Sequence, residues 1–163
     1  MITSRDVARL AGVSQPSVSP ALRVHPNVLS YEIYNEENVP QWWDGSADAY
    51  AQVLRAGSRA LRASHPGVPV LFGGLVFPDR DWIEATCGAE GTGASFDVLP
   101  VHAYPETWTP PDVTVENYLG GLAAFIDTAD QLCGRKAVWV NETGFATVPG
   151  KTERDQAHWW VRA

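Results

Sequence analysis

From residue 28 onward the chain alternates short apolar runs with longer amphipathic stretches, the rhythm of strand–helix repeats in a parallel sheet. Four runs read as strands: Leu29 to Tyr34, Val70 to Leu75, Val98 to Tyr104 and Ala137 to Val140. After the first, Ser46 is placed to cap a helix in which Tyr50, Val53, Leu54, Gly57 and Leu61 fall on one face. A shorter helix over Asp79 to Cys87 follows the second strand. Val115, Leu119, Leu122 and Ile126, at three- and four-residue steps, mark a helix after the third. Thr152 to Asp155 reads as a capping box, with Asp where Glu is usual, and opens a last helix that ends near Ala163. Gly88 to Gly93 is glycine-rich, but it follows no strand and lacks the Lys-Ser or Lys-Thr pair of a phosphate cradle, so it reads as a plain loop.

The opening residues have a different rhythm. Thr3 to Leu22 reads as two short helices separated by a turn at Gly12-Val13-Ser14, with Ser14 capping the second.

With 163 residues and 45% hydrophobic content, the chain can bury a core as one globular domain, which argues against disorder. Its net charge of −7 is unevenly placed, since Arg5, Arg9 and Arg23 against Asp6 leave the first segment positive. Nucleic-acid contact is therefore confined to the N-terminus, because the acidic remainder repels phosphate. There is no run of eighteen apolar residues, and "MITSRDVARLAG" lacks the apolar centre of a signal peptide, so no membrane role and a cytoplasmic location are expected. Cys87 and Cys133 lie far apart and outside metal-ligand spacing; they read as buried, unbridged thiols. Trp42, Trp43, Trp108, Trp159 and Trp160 fall in loop-like or polar stretches, as expected where flat apolar faces line a cleft.

In a parallel sheet of strand–helix repeats all strand C-termini share one rim, so residues remote in sequence converge there. The four strand ends carry Asn35 and Glu36, then Gly73 and Gly74, then His102 and Tyr104, then Asn141 and Glu142. Two carboxylates, two amides, an imidazole and a phenol suit hydrolysis of a glycosidic bond. One acid protonates the departing oxygen, one carboxylate attacks or stabilises the anomeric carbon, and the remaining groups bind hydroxyls.

"YEIYNEENVPQWW" resembles the "WEIWNEPN" signature of clan A glycoside hydrolases, particularly families 39 and 5. "LFGGL" is similar to their fifth barrel strand, "VLPVHAYP" to the sixth with its His-x-Tyr, and "VWVNETGFAT" to the seventh. The resemblance implies a partial (βα) TIM barrel, strands four to seven, over residues 24–163. It implies Glu36 as acid/base and Glu142 as nucleophile of a retaining reaction on an O-glycosidic bond of a carbohydrate substrate. Asn35 would bind the sugar 2-hydroxyl, His102 and Tyr104 would serve a subsite and orient the nucleophile, and Trp42, Trp43 and Trp108 would contact substrate. No metal or organic cofactor is implied. Glu37 stands where these families have Pro, and Asn141 where Thr is common. Counterparts of strands one to three and eight are absent. Open barrel edges would then invite self-association, and a truncated, inactive site is part of the same reading.

"TSRDVARLAGVSQPSVSPALR" resembles the helix-turn-helix opening of the lactose-repressor family, truncated to residues 1–23. This resemblance implies Arg5, Gln15 and Ser17 as phosphate- or base-facing residues, and makes a DNA-binding regulator the alternative reading. Pro20 replaces an Arg usual in the recognition helix and removes a backbone donor.

Overall fold

The computed structural model describes residues 28–108 and 113–163. The helix-turn-helix reading of 1–23, with Arg5, Gln15 and Ser17, lies outside the described residues. The strand–helix alternation resolves into β1 (Tyr31–Glu32), α1 (Ala47–Ser64), β2 (Val70–Leu71), α2 (Arg80–Cys87), β3 (Val98–Ala103), α3 (Val115–Cys133), β4 (Ala137–Thr143) and α4 (Glu153–Arg162). The strands form one sheet in the order β1-β2-β3-β4, every neighbouring pair parallel. This is a partial (βα) barrel.

Local signals set most boundaries. Ser46 accepts a hydrogen bond from Ala49 N at 3.2 Å and starts α1. Asp79 caps α2 through Trp82 N, and Thr152 with Asp155 forms the full capping box of α4. The first two strands are shorter than their apolar runs. Pairing lapses after Leu71 and resumes as single bridges, Asn35 with Gly74 and Leu75 with Val101. The cause on β1's side is local: Tyr34 and Glu36 adopt φ of 77° and 56°, which no extended strand accommodates.

One apolar core lies between the sheet and α1, α2 and α3, with Leu54, Val70, Phe72, Ile83, Leu99 and Phe125 buried in it. Phe72 contacts Tyr50 and Phe96 edge-on, at centroid distances of 4.9 and 5.1 Å. Of the expected α3 stripe, Val115 is buried and Leu122 and Ile126 pack against the core, but Leu119 does not. Tyr118, Phe125, Ala129 and Cys133 turn inward beside Val115, while Leu119 is 56% exposed. The larger rings take the core, and Tyr118 Oη gives its proton to His102 O at 2.6 Å.

Two further expectations are corrected. Cys87 and Cys133 are bonded to each other, with Cα atoms 5.4 Å apart. Both end their helices, α2 and α3, and those helices pack side by side, a proximity hidden by a sequence separation of 46. Such bridges persist in oxidising surroundings, which pulls against a cytoplasmic location. Trp159, read as a cleft aromatic, is instead buried with Val115 and Phe145, and donates its indole proton to Pro105 O at 3.1 Å. It anchors α4. No helix of the described residues is long and apolar enough to cross a membrane.

β4 is an edge of the described sheet, and Trp139 and Val140 on it remain exposed.

Candidate active site

The sheet brings Glu36, His102 and Glu142 together at the strand ends. His102 Nδ1 lies 2.9 Å from Glu36 Oε1 and 3.5 Å from Glu142 Oε2. One oxygen of Glu36 and one of Glu142 are within 4.8 Å of each other, and Tyr104 Oη donates to Glu142 Oε2 at 3.0 Å. Burial and the Glu142 carboxylate raise the Tyr104 phenol above its ordinary range, so it stays a donor. Glu36, Glu142 and Tyr104 line a cleft of about 480 Å³ whose sides include Trp42 and Trp108, both more than half exposed.

Two backbone features aim these groups. The left-handed conformation at Glu36 turns its side chain out of strand register while its N–H still reaches Gly74 O at 2.8 Å. On β4 a bulge skips one residue, so that Val140 pairs with Val101 but Glu142 with His102. In an unbroken strand Asn141 and Glu142 would point to opposite faces. With Asn141 as the extra residue, both serve the interior, Asn141 Nδ2 reaching Glu32 Oε2 at 2.9 Å.

Sequence reasoning missed Glu32. Its other oxygen accepts from Gly74 N at 2.6 Å, so one carboxylate ties β1 to the segment after β2 and, across the interior, to β4. Burial raises its carboxyl above the usual range, and the Glu142 charge adds to that. The signal was present: Glu32 is the polar member of an alternating Tyr31-Glu32-Ile33 strand, on the face opposite the helices.

Glu37 stood out in the sequence only as a replacement of Pro. It is almost fully buried, and neither oxygen makes a well-formed hydrogen bond among the described residues. The neighbouring Tyr50 hydroxyl is committed elsewhere, donating to Ile33 O and accepting from Gly73 N. Burial pushes the Glu37 carboxyl up to about 8, with the charges of Glu32 and Glu36 contributing. Space for it comes from Gly73, where a Cβ would lie 2.0 Å from Glu37 Oε2.

Gly74 does the same for the site itself. A Cβ there would meet His102 Nε2 at 2.2 Å and Glu32 Oε1 at 2.8 Å. Gly74→Ala should therefore cost about 1–3 kcal/mol in chemical denaturation, the usual range for overpacking. A variant as stable as the parent would show that the His102 ring can move freely.

The remaining expected residues divide. His102 is fully buried and touches both carboxylates through Nδ1. Asn35 borders a second depression of about 290 Å³, shared with Tyr34 and Trp42, rather than the main cleft. Trp43 leaves the cleft altogether: its ring packs edge-on against Tyr34 and Tyr50, and its indole donates to Ser46 O.

No family model and no curated relative matches the chain. Among solved structures, a glucosidase from Croceicoccus marinus superposes with a TM-score of 0.62 at 14% identity, covering 80% of this chain and 28% of that one. AbfB, a family 51 α-L-arabinofuranosidase from Bifidobacterium longum, superposes at 0.57 and 14% identity, covering 92% and 33%. The fold is part of a (βα) barrel, as in these neighbours. At this identity the likeness establishes the fold alone, and the chain spans about a third of the length of these neighbours.

Proposed function

We propose that the chain carries the acid/base and nucleophile half of a retaining glycoside hydrolase site. The carrying observation is the separation of the two carboxylates. Retaining sites hold them about 5–5.5 Å apart and inverting sites about 6.5–9.5 Å; here the facing oxygens of Glu36 and Glu142 lie within 4.8 Å.

The roles follow from the partners. Glu142 accepts the Tyr104 proton, which holds its oxygen in place for attack on the anomeric carbon. Glu36, sharing a proton with His102 Nδ1, gives a proton to the departing glycosidic oxygen as that bond breaks. In the second step Glu36 takes a proton from water, whose oxygen bonds the anomeric carbon and releases Glu142. Trp42 and Trp108 offer flat faces for sugar rings. No described residue bears on the DNA-binding alternative.

Release of nitrophenol from a panel of aryl glycosides by the parent, Glu36→Gln and Glu142→Gln tests the reading. Glu142→Gln should lower kcat/KM by at least about 10²–10⁴-fold, and Glu36→Gln should lose more on aryl glycosides of more basic phenols than on nitrophenyl glycosides. Equal rates in all three proteins would end it.

A further inference from the structure

The cleft holds more negative charge than its cations balance. Glu36, Glu142 and, beside them, Glu32 surround one imidazole, and no Lys or Arg is among the described residues lining the cleft. Two carboxylate oxygens converge on a single ring nitrogen, at 2.9 and 3.5 Å, yet one proton at Nδ1 satisfies only one of them. The ring carrying that nitrogen is completely buried, so its aim is fixed by packing. Its other nitrogen, Nε2, has no hydrogen-bond partner among the described residues, and borders the space over Gly74 together with Glu32 Oε1.

We propose that Glu36 Oε1, His102 Nδ1 and Glu142 Oε2 form a binding site for a divalent transition-metal ion, best matched by zinc, which takes up the two carboxylate oxygens that the hydrolytic site needs. One imidazole nitrogen and two carboxylate oxygens make a donor set suited to zinc. Ligand atoms around a tetrahedral zinc lie about 3.3 Å apart. The two imidazole–carboxylate distances bracket that value, and the carboxylate–carboxylate separation, within 4.8 Å, closes by rotation of Glu142, whose side chain is 43% exposed. Two carboxylates neutralise the ion. An imidazole ligating through Nδ1 keeps its proton on Nε2, on the side of Gly74. The fourth position opens into the cleft. Magnesium and calcium, which require six or more oxygens, are poorly served by three ligand atoms.

A bound ion occupies the oxygens through which Glu36 and Glu142 would act, so the ion and a reacting glycosidic bond exclude each other. Zinc should therefore inhibit hydrolysis. That consequence rests on the hydrolytic reading above; the binding itself does not.

The test is calorimetric titration of zinc chloride into the full chain after removal of metals with a chelator, with magnesium chloride as control. One equivalent of zinc should bind, and magnesium should not compete at equal concentration. Glu36→Gln and Glu142→Gln should each weaken zinc by at least about tenfold, whereas His158→Ala, remote from the cleft, should leave it unchanged. Because His102→Ala removes a buried ring, the two carboxylate variants decide the matter, each first shown to melt cooperatively. No binding to the folded parent, or the parent's affinity retained in either carboxylate variant, overturns the inference. Aryl glycoside hydrolysis separates the two readings. If the metal-free chain turns over and saturating zinc leaves its rate unchanged, the metal site falls and the hydrolase stands; if zinc binds as described and no turnover occurs, the hydrolase falls and the metal site stands.

Discussion

Between about pH 5 and pH 8 the folded chain should lose roughly 3–4 kcal/mol of stability, and Glu37→Gln should remove most of that dependence. The origin is a carboxyl confined against Gly73 and Tyr50, held near 8 in the fold against an ordinary value of 4.5. The folded state therefore binds a proton that the unfolded state has already released. Stability from such a group is complete below pH 4.5 and declines by about 1.4 kcal/mol per pH unit until the folded carboxyl ionises near 8. Glu32, also raised, adds to the same direction of change. Asp97 acts elsewhere: burial opposes ionisation, but hydrogen bonds from Arg62 and Val70 N prevail and hold it below 3.8, so it titrates outside this window. Urea midpoints at the two pH values, measured with chelator present, supply the test. Glu37→Gln places an amide where no partner waits, so the variant starts less stable at pH 5. Its defining property is a flatter slope, and a slope equal to the parent's would show that Glu37 is ionised in the fold.

The second large effect concerns the Cys87–Cys133 bridge. Closing a loop of 46 residues restricts the unfolded chain by about 4 kcal/mol in the chain-entropy description. For a chain of this length that corresponds to roughly 8–16 °C in Tm. Melting with and without a thiol reductant, and in a Cys87→Ser/Cys133→Ser double variant, should show matching losses. An unchanged Tm in reductant, with the thiols shown to be free, would mean that the packing of α2 on α3 is sufficient by itself.

These two features sit at opposite ends of the strands and have opposite consequences. The bridge ties the helical layer together at its far side, while the rim gathers Glu32, Glu36, Glu37 and Glu142 into a small region with His102 as the imidazole among them. Burying an acid at that rim costs stability, and the raised Glu37 carboxyl is its local expression, with the Glu32 and Glu36 charges adding to it. Function at such a rim and stability of the chain draw on the same contacts, which is why Gly74→Ala is expected to disturb both.

Legibility differed by kind of interaction. Helix starts at Ser46 and Thr152 were readable because a cap is a contact over three residues. The parallel order of four strands was readable because strand–helix alternation leaves few other topologies. The meeting of Glu36 with Glu142 was readable because every strand in such a sheet ends on one rim. The positions of Asn35, beside a second depression, and of Trp43, packed on Tyr34 and Tyr50, were not readable, since nothing in "YNEEN" requires the positive φ found at Tyr34 and Glu36.

The sequence by itself determined the repeat, its direction and the identity of the groups on the rim, since these depend on neighbours a few residues apart and on the fixed periods of helix and strand. Only the tertiary structure decided that Cys87 meets Cys133, that a bulge turns Asn141 toward Glu32, and that Glu37 is sealed against Gly73. Each of these is a contact between segments far apart along the chain, and its existence depends on distances of a few ångströms that no local pattern encodes.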